Sequence, residues 1–214
     1  MHAALKIFLF ALPMIAHVAA AATLTLTLTD QAGQPVNDAV LSVSTINGQR
    51  AAVTPQTVTV DQVDEMFVPH VRAISTGSTV TFPNSDHIRH HVYSFSDSKT
   101  FELPLYIGIE AAPITFDKAG LVTLGCNIHD HMLGYILVLD TPHYAEVNSG
   151  TATLQNLPAG ELAIEIWHPR LDPEAAVQLT LTVGADETAA IARQLTLRPE
   201  RMVRRAPRRG GSRY

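Results

Sequence analysis

Residues 23–29 read TLTLTLT, with polar and apolar side chains in strict alternation. That period of two belongs to a strand with one face buried and one face wet, and no helix can satisfy it. The same habit recurs along the chain. VLSVSTI (40–46), VRAISTG (71–77), STVTFPN (78–84), HVYSFS (91–96), ITFD (114–117), LVTLGC (121–126) and YILVLD (135–140) each read as a short strand, as do TATLQNL (151–157), LAIEIWH (162–168) and VQLTLTV (177–183). Turn residues separate them at intervals of roughly ten residues, the pattern of an all-β sandwich. No long stretch has a 3.6-residue period. The alternative left open is a short helix around Val63–Phe67 or Leu105–Ala111.

The ends of the chain differ from its body. MHAALKIFLFALPMIAHVAAAA opens with one lysine, Lys6, continues through an apolar run from Ile7 to Ala16 and closes on small residues. This is the three-part form of a secretory signal peptide, and the run falls short of the roughly 20 apolar residues a membrane span needs. Residues 1–22 are therefore expected to be a signal peptide cleaved near Ala22, leaving a soluble protein in a bacterial periplasm with no membrane span. The competing reading is a buried N-terminal strand or helix. At the other end, residues 198–214 carry seven Arg and one Glu, whereas the whole 214-residue chain has a net charge of −5. This segment reads as a disordered basic tail, solvated or touching an anionic surface. Export makes nucleic acid the least fitting partner.

Export also makes Cys126 notable. It is the chain's one cysteine, in GCNIHDHMLGYILV (125–138). Exported cysteines usually pair, and a leftover one is either buried and inert or bound to something. Here His129 and Met132 follow in the spacing Cys-x2-His-x2-Met, in a short loop between two strands. Thiolate, imidazole and thioether together favour copper, and a second imidazole would complete a His2Cys plane with a weak axial Met. TFPNSDHIRHHVYSFS (81–96) supplies three candidates, His87, His90 and His91. Neighbours on a strand point to opposite faces, so His90 and His91 cannot both reach one ion. A Cys126–His129 nucleophile and base would need an orienting group and an oxyanion hole, and neither is evident. Other readings are structural: Met132 as a core residue, Asp86 and His87 as turn residues, and Asn84 as a cap of the turn presenting His90. His70, His143 and His168 read as structural or surface, and Tyr93, Phe95 and Trp167 as core.

FPNSDHIRHHVYSFS followed by LGCNIHDHMLGYILV resembles the cupredoxins, the blue copper proteins that include plastocyanin, azurin and amicyanin. FVPHVRAISTGSTVTFPNSD (67–86) is similar to the run preceding the first copper histidine in that family, and the short ligand loop resembles that of amicyanin. The likeness covers roughly Val58 to Asp140. The HHVYSFS and CNIHDHM forms resemble the methylamine-utilisation-type group. The resemblance implies a Greek-key β-sandwich and one type 1 copper ion held by His90, Cys126, His129 and Met132. It implies an electron carrier between redox partner proteins, not an enzyme, with Leu133, Ile128 and Phe82 as the apolar surroundings. Partners would dock at the edge near His129 and His131. Two positions depart from the pattern. The residue after the first histidine is often an Asn that ties the ligand loops; here it is His91. An extra imidazole, His131, stands between two ligands. If His87, His91 and His131 enlarge the site, the alternative is a periplasmic copper carrier or storage protein.

TLTLTLTDQAGQPVNDAVLSVS (23–44) and GTATLQNLPAGELAIEIWH (150–168) resemble the two halves of carboxypeptidase regulatory-like domains, small transthyretin-like sandwiches; LPAG (157–160) is the most recognisable piece. The resemblance implies a discontinuous module, residues 23–50 and 142–197, with the copper domain at 58–141 inserted in it and serving stability or protein contacts. The alternative is extra strands flanking the cupredoxin.

Overall fold

The computed structural model describes residues 21–108, 112–172 and 177–199. All its named elements are strands. They are β1 (Ala22–Asp30), β2 (Ala39–Ile46), β3 (Thr57–Thr59), β4 (Asp61–Val63), β5 (Met66–Val68), β6 (Val71–Ser75), β7 (Ser78–Thr81), β8 (His90–Ser96), β9 (Lys99–Tyr106), β10 (Ile114–Phe116), β11 (Gly120–Gly125), β12 (Leu133–Leu139), β13 (Tyr144–Val147), β14 (Thr151–Leu157), β15 (Gly160–Trp167), β16 (Val177–Val183) and β17 (Thr188–Leu195). The all-β sandwich expected from the alternation is what forms.

β1 shows the cause. Leu24, Leu26 and Leu28 are fully buried while the threonines between them face outward. β1 lies between β14 and β17, and β2 lies between β13 and β15, with β16 outside β15. These two sheets enclose one aliphatic core, drawn from residues 22–43 and 147–197. A second core lies in the middle of the chain. The sheet β6-β12-β11-β8-β9 and the smaller sheet β10-β7-β3 enclose Val80, Phe82, Val92, Phe116, Leu124 and Ile136, with Cys126 and Met132 at one end. A third, smaller cluster joins the two sandwiches: Val40, Val71 and Ala73 pack with Tyr135, Leu137, Tyr144 and Trp167. Glu146 reinforces this seam by accepting the Ala73 N–H at 2.9 Å and facing Arg72 at 3.3 Å.

Three expectations need correction. Val63–Phe67 is a hairpin, not a helix: Asp64 and Glu65 adopt left-handed φ of 53° and 60°, and Val63 pairs with Met66. Leu105 and Tyr106 belong to β9, where Tyr106 pairs with His90; residues 109–111 of the other expected helix lie outside the described ones. Phe95 is 76% exposed instead of core, because the strand's alternation turns Val92 and Ser94 inward and Phe95 outward. Residues 1–20, most of the expected signal peptide, and residues 200–214, most of the expected basic tail, lie outside the described residues. Arg198 is seen, and its N–H donates to the Arg170 carbonyl at 2.9 Å. No described helix is long and apolar enough to cross a membrane.

Candidate metal centre

Two loops at one end of the middle core carry the chemistry. The first runs from Asn84 to His90. Asn84 is buried, and its amide donates to the carbonyls of Ile88 and Tyr106, both at 2.9 Å, while its Oδ1 accepts the Asp86 N–H at 3.0 Å. This wiring brings Asp86 back over His90, whose Nε2 lies 2.6 Å from Asp86 Oδ2. The register of β8 against β9 shifts between His90 and Val92, so both histidines are buried, at 0% and 5% exposure.

The second loop, 126–132, joins β11 to β12 and closes on the pair Gly125–Leu133. Glycine is needed at both shoulders for space. A Cβ on Gly125 would meet the Tyr93 ring at 2.8 Å, and one on Gly134 would meet the Phe67 Cβ at 2.8 Å. Within the loop the Met132 N–H donates to the His129 carbonyl at 2.9 Å, turning the chain inward. Cys126 and Met132 are buried, at 3% and 2% exposure.

The loops bring three ligand atoms together. One atom each from His90, Cys126 and His129 lies within 4.8 Å of the others. His129 Nδ1 stands 3.2 Å from His90 Nδ1 and 3.9 Å from Cys126 Sγ. Donating from Nε2 to Asp86 leaves neutral His90 with a lone pair at Nδ1, directed at His129. Burial, and then the neighbouring His90, push the His129 imidazole below its ordinary pKa, which keeps it neutral and able to offer a lone pair. Two imidazole nitrogens at about 2.0–2.1 Å from one ion stand roughly 3.3–3.6 Å apart, close to the spacing found here. A soft thiol beside two imidazoles fits copper as a donor set.

The other candidates go elsewhere. His91 Nε2 pairs with Glu102 at 2.8 Å. His131 Nε2 lies 3.2 Å from Glu65 Oε2. His87 is exposed. None joins the three-residue cluster. His70 pairs with Asp38 at 3.0 Å, and His168 and His143 are pushed down by burial, His168 to about 4. Of the expected apolar surroundings only Phe82 is buried; Ile128 and Leu133 are 47% and 42% exposed. Asp86, read from sequence as a turn residue, instead holds a candidate ligand. Burial pushes its carboxyl up, but the Glu65 N–H, His90 and the Asp64 N–H together hold it below the usual carboxylate range. Glu65 drew no notice in the sequence. Both sit beside turns: Asp86 meets His90 four residues on, and Glu65 meets His131 from a separate loop.

No family model matches the chain. No curated protein matches it either. Solved structures do. An oxidised amicyanin variant is 23% identical over 38% of this chain and 80% of its own, with a TM-score of 0.35. A purple cupredoxin from Nitrosopumilus maritimus is 21% identical over 40% of this chain and 99% of its own, with a TM-score of 0.34. A copper-containing nitrite reductase from Thermus scotoductus SA-01 is 29% identical over 53% of this chain but 28% of its own, with a TM-score of 0.36.

Proposed function

We propose that His90, Cys126, His129 and Met132 hold one copper ion and that the chain carries single electrons, as a cupredoxin with an amicyanin-like ligand loop. The observation that supports this most directly is the meeting of two imidazole Nδ1 atoms at 3.2 Å beside a buried thiol. Bound copper would supply a one-electron Cu(II)/Cu(I) couple. The chain's part is to hold the ligands still and dry. His90, Cys126 and Met132 are sealed from water, and His129 alone is half-buried. Electrons would therefore enter and leave through the His129 edge, where exposed Ile88, Ile128 and Leu133 offer an apolar surface to a redox partner. Nothing about Cys126 and His129 favours a nucleophile and base. His129 Nδ1 lies 3.2 Å from His90 Nδ1 and 3.9 Å from Cys126 Sγ, so the ring faces a second imidazole and not the thiol alone.

The outer sandwich, with its LPAG turn, we read as a carboxypeptidase regulatory-like module that supports the copper domain. The leader argues for export to the periplasm. The methylamine-utilisation-type group rests on the HHVYSFS and CNIHDHM forms alone.

The test is the visible and electron-spin-resonance spectrum of the purified protein with one equivalent of Cu(II), beside Cys126→Ser. The expected result is an intense thiolate-to-copper band with narrow hyperfine splitting, lost in the variant. A pale spectrum with wide splitting that survives the substitution would reject the electron carrier and favour a histidine-bound copper carrier.

A further inference from the structure

The two ligand loops belong to different strands, and something must fix the distance between them. His91, next to His90, does not: its ring turns to Glu102 on β9. The β4–β5 hairpin does. Its left-handed tip presents two consecutive N–H groups to one carboxylate. The Asp64 N–H donates to Asp86 Oδ1 at 2.7 Å, and the Glu65 N–H to Asp86 Oδ2 at 2.9 Å. That same Oδ2 meets His90 Nε2. From the same tip the Glu65 side chain extends the other way, to His131 in the second loop. The approach is close enough for an ion pair but off the line of a hydrogen bond, and His131 Nε2 is buried with no hydrogen-bond partner. The His131 ring in turn packs edge-on against His129, with centroids 5.9 Å apart.

The hairpin is rooted firmly enough to act as a brace. Phe67 is buried against Gly134. Gln62 is fully buried, its amide donating to the Pro83 carbonyl at 3.0 Å. The Ser85 hydroxyl donates to Asp61 Oδ2 at 2.7 Å. The hairpin thus grips the first loop at base and tip, and reaches the second through Phe67 and Glu65.

We propose that the β4–β5 hairpin is an outer clasp that sets the spacing of the two ligand loops, with Asp86 and Glu65 as its positioning residues. This rests on the copper reading. Neither residue touches the ion. Asp86 fixes the His90 tautomer, presents Nδ1 inward and makes the ring a stronger donor, the known effect of a carboxylate behind a metal-bound histidine. Glu65 keeps the second loop, and with it His129, in register with the first. Two carboxylates behind imidazoles also favour the more highly charged Cu(II) state.

The experiment compares full-length wild type, Glu65→Gln, Asp86→Asn and, as a control off the clasp, Glu102→Gln. Each is titrated with Cu(II), and the thiolate-to-copper band, the hyperfine splitting and the reduction potential are recorded. Deuterium exchange at the amides of residues 64, 65 and 126–132 is measured in the metal-free proteins. The expected result is Cu(II) binding weaker by about 10–100-fold in both clasp variants, with a shifted band and a raised potential, and little change in the control. The 64 and 65 amides should exchange faster in Asp86→Asn, and the 126–132 amides faster in Glu65→Gln. If Asp86→Asn fails to fold, Glu65→Gln carries the test, since its side chain is part exposed. Clasp variants with wild-type band, potential, affinity and exchange would overturn the proposal. A wild type with no thiolate band would overturn the copper reading instead, and unchanged loop exchange would then reject the clasp separately.

Discussion

The two sandwiches are built from the same kind of strand but filled differently. The outer apolar cluster is made of Leu, Ile, Val and Ala. The middle core is rounded out by Phe67, Phe82 and Phe116 and ends in Cys126 and Met132, with buried His90 and His91 beside them. Alternation makes most of the first, with alanine-rich β17 held in by its pairing along β1. The second gives up part of its apolar filling at one end so that soft and polar ligands can meet there, and it needs an added hairpin and two space-saving glycines to keep that end in shape. Packing and chemistry are thus divided between the halves of one chain.

That division can be broken experimentally. The largest effect should come from Leu26→Ala, at a fully buried position of the outer core. It should cost about 2–5 kcal/mol in urea unfolding, yet the folded fraction should give an unaltered copper spectrum; an altered one would mean that the halves are not separable. Next comes Gly134→Ala, which forces a Cβ against Phe67. A loss of about 1–3 kcal/mol is expected, this time with a changed spectrum, because the hairpin over the site must move.

The seam between the halves should respond to pH. Burial holds His168 at about 4, so it is neutral when folded and takes a proton readily only when unfolded. Its contribution is complete above the ordinary histidine pKa of about 6.5 and is lost as pH falls from there through about 4. Thermal midpoints should therefore drop across that window, and the drop should shrink in His168→Asn. The smallest effect belongs to Phe95→Ser. At 76% exposure the change should lie within about 0.5 kcal/mol, with the copper spectrum intact.

Most strands were legible because period-two patterning is a local signal. Those that escaped lack it. β17 reads TAAIARQL, rich in alanine, and earns its place by pairing along β1. β9 contains Pro104 and exposes half of its residues. The β4–β5 hairpin is illegible in the sequence because its turn uses Asp64 and Glu65 at positive φ, without the glycine that usually signals such a turn. The site shows the same divide. Cys126, His129 and Met132 lie within one loop and declare themselves by spacing. His90 needed the family likeness to be chosen over His87 and His91. Asp86 shares a loop with His90, four residues before it, but nothing in the spacing tells which of His87, His90 and His91 it will meet, and Glu65 finds His131 only across two loops.

The pairing of β1 with β17 has one more consequence. The strands run parallel, side by side, from Thr23 opposite Thr188 to Asp30 opposite Leu195. Tension applied to the two ends of the chain would pull this pair in opposite directions along its length and load every rung of the ladder together instead of peeling one at a time. Everything between residues 30 and 188 lies behind that lock, so a molecule tethered by either end would feel strain last at the loops that carry its histidines and cysteine.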